Sequence, residues 1–241
     1  VWSPDDGVRR VLVVTAHPDD VDFGSAGTVA AFTAAGVHVT YCVITNGEAG
    51  GSDRAIARAD MAALRQDEQR AAAAVVGVSD VRFLGHLDGM VQATPELRRD
   101  ISRVIREVRP ERVLTQSPDR NWDFIYASHP DHLAAGEAAV CAVYPDSRNP
   151  FAHPELLEAE GLEPWTVPEL WLMGPGKQPG IAVDTTTTVE RKVAALLCHK
   201  SQIPDPDGVT TRIMDGARAQ AEAAGLADGS SAELFRVIRI P

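Results

Sequence analysis

Arg10-Val11-Leu12-Val13-Val14-Thr15-Ala16-His17-Pro18-Asp19-Asp20 is the stretch that decides the fold. An apolar run without polar alternation is the pattern of a strand covered on both faces. It ends abruptly in His17-Pro18-Asp19-Asp20, so reactive side chains sit where the strand gives out. Working outward, a small-residue helix is expected from about Ser25 to Ala35, stopped by Gly36. A second strand, Val37 to Thr45, ends at Asn46-Gly47 and a glycine-rich loop, Glu48 to Asp53. A helix from about Ala59 to Val76 stops at Gly77, and Val81 to Leu84 is a short strand. Pro95 to Val108 reads as a helix capped by Thr94, and Arg112 to Thr115 as a fourth strand. Strands alternating with helices imply a parallel sheet built from right-handed crossovers. The expected class is α/β, a Rossmann-like three-layer fold with a mostly parallel sheet.

The second half is less regular. Pro130 to Val143 reads as a helix, and the proline-rich segment from Asp146 to Pro168 as a surface excursion or lid. Glu169 to Met173 and Gly180 to Val183 are expected strands, Val189 to Lys200 a helix, and Gln202 to Gly208 a Pro/Asp loop. Thr211 to Ala224 is a further helix and Glu233 to Ile240 a closing strand. No linker or internal repeat divides the 241 residues, which fit one domain. A net charge of −11 disfavours nucleic acid, whose binding needs Lys and Arg against phosphates, and equally an anionic membrane surface. The opening Val1 to Asp6 has neither the basic nor the apolar region of a signal peptide. The three cysteines have no CxxC spacing and do not suggest a disulfide framework; Cys42 and Cys141, in apolar or Ala-rich runs, read as buried thiols. The expected setting is cytoplasmic.

Ligands of open parallel sheets bind outside the carboxyl ends of the strands, where His17 to Asp20 stand. Pro18 biases His17 to an extended conformation, so His17 and Asp20 can converge while Asp19 stays free. Histidine with carboxylate is the donor chemistry of a catalytic zinc site. A second cluster, Ser128-His129-Pro130-Asp131-His132, follows the fourth strand and opens a helix. Pro130 suits the first helical position, and Asp131 suits the helix dipole. One of His129 and His132 would complete a His/Asp/His set with a position left for water. An ordinary turn reading exists for either His-Pro-Asp alone. Two of them, each at a strand's carboxyl end and each followed by another ligand-type residue, favour a metal site.

His17-Pro18-Asp19-Asp20 together with His129-Pro130-Asp131-His132 resembles the LmbE-like, or PIG-L, family of zinc N-acetylglucosaminyl deacetylases, which includes mycothiol-pathway deacetylases and amidases. The likeness spans about Arg10 to Lys200. It takes in Gly24 to Thr28, Thr45-Asn46-Gly47-Glu48, the Arg65/Glu68 pair, Asp88-Gly89 and His199-Lys200-Ser201-Gln202. The resemblance implies Zn2+ held by His17, Asp20 and His132, with Asp19 as general base. It further implies His129, oriented by Asp131, at the tetrahedral intermediate, and Arg65, Asp88 and His199 as substrate-binding positions. The implied substrate is a small N-acetylated amino sugar, with an amidase acting on a larger conjugate as the alternative; a homo-oligomer is compatible with the sequence. Two departures stand out. Val21 follows the first motif where many members carry Glu, with Asp22 next. Ala127 stands where the mycothiol deacetylase has a tyrosine, with Tyr126 one place earlier, which leaves the partner at the oxyanion open. A nucleotide-binding module fits poorly, because Gly24-Ser25-Ala26-Gly27 is not a GxGxxG and Asp residues would repel a pyrophosphate.

Overall fold

Strand β1 (Arg10–Thr15) is buried at every position after the first, and its side chains alternate between two separate cores. Val11 and Val13 enter one, Leu12 and Val14 the other. That double coverage is why the run carries no polar alternation. The computed structural model describes residues 1–3, 6–51, 53–123, 125–174 and 180–241. Pro4 and Asp5 of the opening segment and Ser52 of the glycine-rich loop therefore lie outside the described residues.

From β1 the chain passes through a short helix α1 (Asp20–Gly24) and α2 (Ala26–Ala34) to β2 (His38–Thr45). Next come α3 (Arg58–Val75), β3 (Asp80–His86), α4 (Pro95–Val108), β4 (Arg112–Gln116) and α5 (Pro130–Cys141). The remaining elements are α6 (Pro154–Glu158), β5 (Glu169–Met173), β6 (Ile181–Asp184), α7 (Val189–Leu196), α8 (Pro206–Ala223) and β7 (Ala232–Arg239). The strands form one sheet in the order β3-β2-β1-β4-β5-β7-β6. Neighbours from β3 through β5 are parallel, and β7 runs antiparallel between β5 and β6. Residues of α2, α3 and α7 pack with Trp171 and Phe235 on one face; α4 and α5 cover the other. This is the expected three-layer α/β arrangement.

Three local expectations change. The excursion is not a lid. Buried Arg106 of α4 donates to the carbonyls of Asp146, Ser147, Asn149, Ala152 and Leu162, and Trp165 Nε1 donates to Pro110 O at 2.8 Å. Both tethers hold the excursion at the amino ends of the parallel strands, opposite the motifs. The Pro/Asp loop is partly helical: Asp205 caps α8 by accepting from Gly208 N–H, and Pro206 occupies the first turn. Cys141 is half-buried rather than buried, and all three cysteines are free. Among the described residues no helix is long and apolar enough to cross a membrane.

Candidate active site

The carboxyl ends of β1, β2, β3 and β4 feed four loops that meet in a cleft of about 410 Å3. Its lining includes His17, Asp19, Asp20, Arg65, Asp88, His129 and His132. Gln116, the last residue of β4, fixes the turn at its root by accepting from Ala16 N–H at 3.0 Å.

The decisive geometry lies at two ring nitrogens and the carboxylate of Asp20. His17 Nδ1 is 3.3 Å from His132 Nε2 and 3.4 Å from one oxygen of Asp20, whose other oxygen is 3.0 Å from His132 Nε2. Two imidazole lone pairs and a carboxylate at this spacing repel one another unless a cation or protons sit among them. Metal–ligand bonds of about 2.0–2.1 Å in a tetrahedron hold donor atoms about 3.3–3.4 Å apart. The two spacings to His17 match that edge and the 3.0 Å spacing lies just inside it, so the residues fit a tetrahedral divalent metal. His17, His129 and His132 also have ring nitrogens within 4.8 Å of one another. His129 is tied differently, however, because its Nδ1 accepts from the backbone N–H of Asp131 at 3.2 Å.

The other nitrogen of His17 is held by carboxylates. Nε2 lies 3.1 Å from Asp88 Oδ1 and 3.2 Å from Asp131 Oδ2. A proton on Nε2 donates to these acids and leaves the Nδ1 lone pair facing the cleft, the usual support for a metal-binding imidazole. Asp131 is itself fixed by Gly89 N–H at 2.7 Å and Val91 N–H at 3.3 Å. Without a metal, burial works against the imidazolium of His17, but hydrogen bonds and charge from Asp20 and Asp88 push its pKa up to about 11. Against the opposing effect of burial, His132 and His17 hold Asp20, and His17 holds Asp88, below the ordinary carboxylate range. The cleft thus concentrates negative charge on the histidines, as a cation site requires.

Asp19 stands just outside this triad. It is the cap position of α1, in the left-handed region at φ 90°, where a non-glycine residue is uncommon. Burial and the neighbouring charge of Asp20 push its pKa up to about 7, against the pull of Arg65, His199 and His17. His129 is pulled down by burial and by His17 and His132. Its Nδ1 is occupied as an acceptor, so the neutral ring carries its proton on Nε2 as a donor.

Of the three expected substrate-binding residues, two line the cleft and one does not. Arg65 lines the cleft but is only 4% exposed. It donates to Gly47 O at 2.9 Å and Pro18 O at 2.7 Å and approaches Asp19 Oδ2 at 3.3 Å. The glycine loop exists to admit it, because a Cβ on Gly47 (φ 70°) would sit 2.7 Å from the guanidinium carbon. Asp88 also lines the cleft, with one oxygen on His17 and the other on Ala49 N–H at 2.9 Å. Both residues hold the walls. His199 is corrected outright as a substrate contact: it is 0% exposed, with Nε2 bonded to Asp22 at 2.8 Å. Asp131 orients His129 through its backbone amide, while its carboxylate serves His17.

The remaining histidines lie elsewhere: His38 is exposed, His86 pairs with Asp100 and His153 with Asp146. Tyr126 is 80% exposed, and neither it nor Ala127 lines the cleft. Sequence reasoning missed Gln69, Asp22 and Glu233, whose polar side chains are fully or almost fully buried. Only a polar residue on an otherwise apolar helix or strand face could have signalled them. Glu48 also contributes, accepting from Asp88 N–H at 3.0 Å.

Residues 12–143 match the family model described as PIG-L, GlcNAc-PI de-N-acetylase. The chain belongs to the PIG-L family. It is 32% identical over 203 residues to the diacetylchitobiose deacetylase of Thermococcus kodakarensis, covering 84% of this chain and 73% of that protein. It is 30% identical over 244 residues to the 1D-myo-inositol 2-acetamido-2-deoxy-alpha-D-glucopyranoside deacetylase of Rhodococcus erythropolis, covering 81% of each. Among solved structures it superposes on the N,N'-diacetylchitobiose deacetylase of Pyrococcus horikoshii with a TM-score of 0.88. That match is 28% identical and covers 98% of this chain and 86% of the other.

Proposed function

We propose that this PIG-L chain is a zinc-dependent N-deacetylase that hydrolyses the acetamide of a small N-acetylglucosamine-type substrate. The single observation that carries the reading is the His17/Asp20/His132 donor set at near-tetrahedral spacing, with the carboxyl of Asp19, outside that set, lining the same cleft. The relatives named above, deacetylases of acetamido sugars, supply the substrate class. A cleft of about 410 Å3 falls at the small end of ligand pockets, which suits a sugar ring and its acetyl group better than a bulky conjugate.

An amide resists hydrolysis because its carbonyl is weakly electrophilic and its amine leaves poorly. Zinc, held by His17, Asp20 and His132, supplies Lewis acidity toward the carbonyl and lowers the pKa of water to about 7. Asp19 takes the proton of the attacking water, and its raised pKa lets it hold that proton. The same carboxyl then delivers it to the departing sugar nitrogen. His129 donates from Nε2 to the oxyanion that develops on the carbonyl oxygen, a contribution of about 3–4 kcal/mol for a well-placed donor. Asp88 and Asp131 keep the His17 ring turned. Arg65 anchors the loop on which Asp19 sits.

The test is metal content measured together with acetate release from a panel of N-acetylglucosaminides, with and without chelator. About one zinc per chain and chelator-sensitive acetate release are expected. Acetate release indifferent to metal would overturn the zinc reading. Bound zinc with turnover confined to large conjugate amides would replace the deacetylase by an amidase.

A further inference from the structure

We infer that Gln69, fully buried on α3, is a positioning residue that holds Asp19 in its catalytic backbone conformation, and that Asp22 and His199 fix Gln69 in turn. The inference rests on Asp19 being the general base.

Asp19 has a backbone conformation that its own sequence does not favour, at φ 90° and ψ −25°. Something outside the turn must hold it there. Three groups do so from three sides. The first turn of α1 takes the Asp19 carbonyl through Asp22 N–H at 2.9 Å and Phe23 N–H at 3.0 Å. Arg65 lies 3.3 Å from the carboxylate. The Asp19 N–H donates to Gln69 Oε1 at 2.7 Å, the shortest of these contacts. Arg65 and Gln69 are four residues apart on one face of α3, so a single helix grips the side chain and the amide of the same residue.

An amide side chain offers an acceptor on one end and a donor on the other, and a flipped Gln69 would turn N–H against N–H at Asp19. The structure prevents the flip chemically. Gln69 Nε2 donates at 2.9 Å to Asp22 Oδ2, a group that can only accept when ionised. His199 Nε2 donates to the same oxygen at 2.8 Å. Asp22, Gln69 and His199 are all 0% exposed, so water does not compete for these bonds. Donation therefore runs from the Asp19 amide through Gln69 to Asp22, where His199 donates from the other side, so Asp22 anchors the string as its common acceptor. None of the three supporting side chains lines the cleft. This accounts for a buried polar string behind the site that the chemistry itself does not touch, and for the place of His199 close to the motifs in space yet sealed from substrate.

The test uses steady-state acetate release, bound metal and thermal unfolding on the zinc-loaded enzyme. Gln69→Leu is expected to lower kcat about ten- to a hundred-fold, the scale of a misplaced catalytic group, with KM within about twofold and metal content unchanged. Gln69→Glu keeps an acceptor for the Asp19 N–H and, by sharing one proton with Asp22, keeps the link behind it. It is expected to recover most of that loss. Asp22→Asn perturbs the string one step further from Asp19 and is expected to lower kcat about three- to ten-fold with the same unchanged KM. It serves as the deciding variant if Gln69→Leu shows no cooperative unfolding. Unaltered kcat in Gln69→Leu, a loss that falls on KM or metal content, or no recovery in Gln69→Glu overturns the inference. Asp19→Asn is assayed in parallel: full turnover there sinks the base assignment itself. A dead Asp19→Asn beside an unaffected Gln69→Leu sinks only the positioning role.

Discussion

Replacing Asp19 by asparagine or by alanine asks two different questions, because the residue combines a reactive carboxyl with a left-handed backbone. Asparagine is among the few non-glycine residues that enter this region readily, so Asp19→Asn removes the base and keeps the turn. Its amide oxygen can still accept from Arg65, now 3.3 Å from the carboxylate. Alanine removes the base and also the short polar side chain that offsets the steric cost of a Cβ at φ 90°, a cost of about 1–2 kcal/mol. A general base contributes roughly 10²–10⁴ in rate, which is about 2.7–5.4 kcal/mol of barrier at 1.36 kcal/mol per decade. Acetate release should therefore fall by about that factor in both variants while zinc stays bound. Melting should separate them: for a chain of this length 1 kcal/mol moves Tm by about 2–4 °C, so the alanine variant should melt about 2–8 °C below the asparagine variant. The readings are kcat with saturating sugar, metal per chain, and a thermal scan of each variant with metal bound. Asp19→Asn retaining more than about a tenth of kcat with zinc in place would refute the proton-transfer role. Equal Tm values would refute the argument that this backbone is strained.

Three further outcomes are expected. Asp131→Asn, which weakens the carboxylate hold on His17 Nε2, should loosen zinc about 10–100-fold in chelator competition. Unchanged affinity would mean that Asp88 alone turns the ring. Without metal, the proton of Asp19 is held more tightly folded than unfolded, because its pKa of about 7 lies above the ordinary 3.8. Stability from this group is then full below about pH 4 and lost as pH rises through about 7. Chelated wild-type protein should accordingly lose more Tm between pH 5 and pH 8 than chelated Asp19→Asn, and parallel slopes would count against it. Glu233→Gln leaves Lys192 buried beside a neutral partner in place of the present 2.5 Å ion pair. Denaturant unfolding should show a loss of about 3–5 kcal/mol, the cost of an unpaired buried charge, and a loss below about 1 kcal/mol would contradict that.

Where sequence and structure agree, the signal was local. The run of valines in β1 announced a doubly covered strand, and α4 begins and ends where Thr94, Pro95 and Val108 predict, with the Thr94 side chain accepting from Leu97 N–H. The two His-Pro-Asp clusters stood in sequence where the strands end, and the fold brings them together. What stayed hidden depends on long-range partners. Glu233 to Ile240 was legible as a strand, but nothing in its residues says that it runs antiparallel between β5 and β6. Arg106 looks like a solvated helix residue until the five carbonyls of the excursion close around it. His199 had the right motif and the wrong role, because which side of a wall a histidine faces is decided by packing against Asp22.

The position of β7 has a consequence for the order in which the molecule can come into being. A ribosome delivers this strand after the other six described strands, yet it lies inside the sheet, and β6 has β7 as its sheet neighbour. Until residues 232–239 emerge, β5 presents a bare edge and β6 has nothing to join. Glu233 arrives on the same strand and is the group that receives the amides of Gly27 and Thr28 at the start of α2, a few residues beyond Asp19 and Asp20. The first His-Pro-Asp motif is thus braced by a strand made about 200 residues later, and an interrupted chain that carries every proposed metal ligand still lacks the brace behind them.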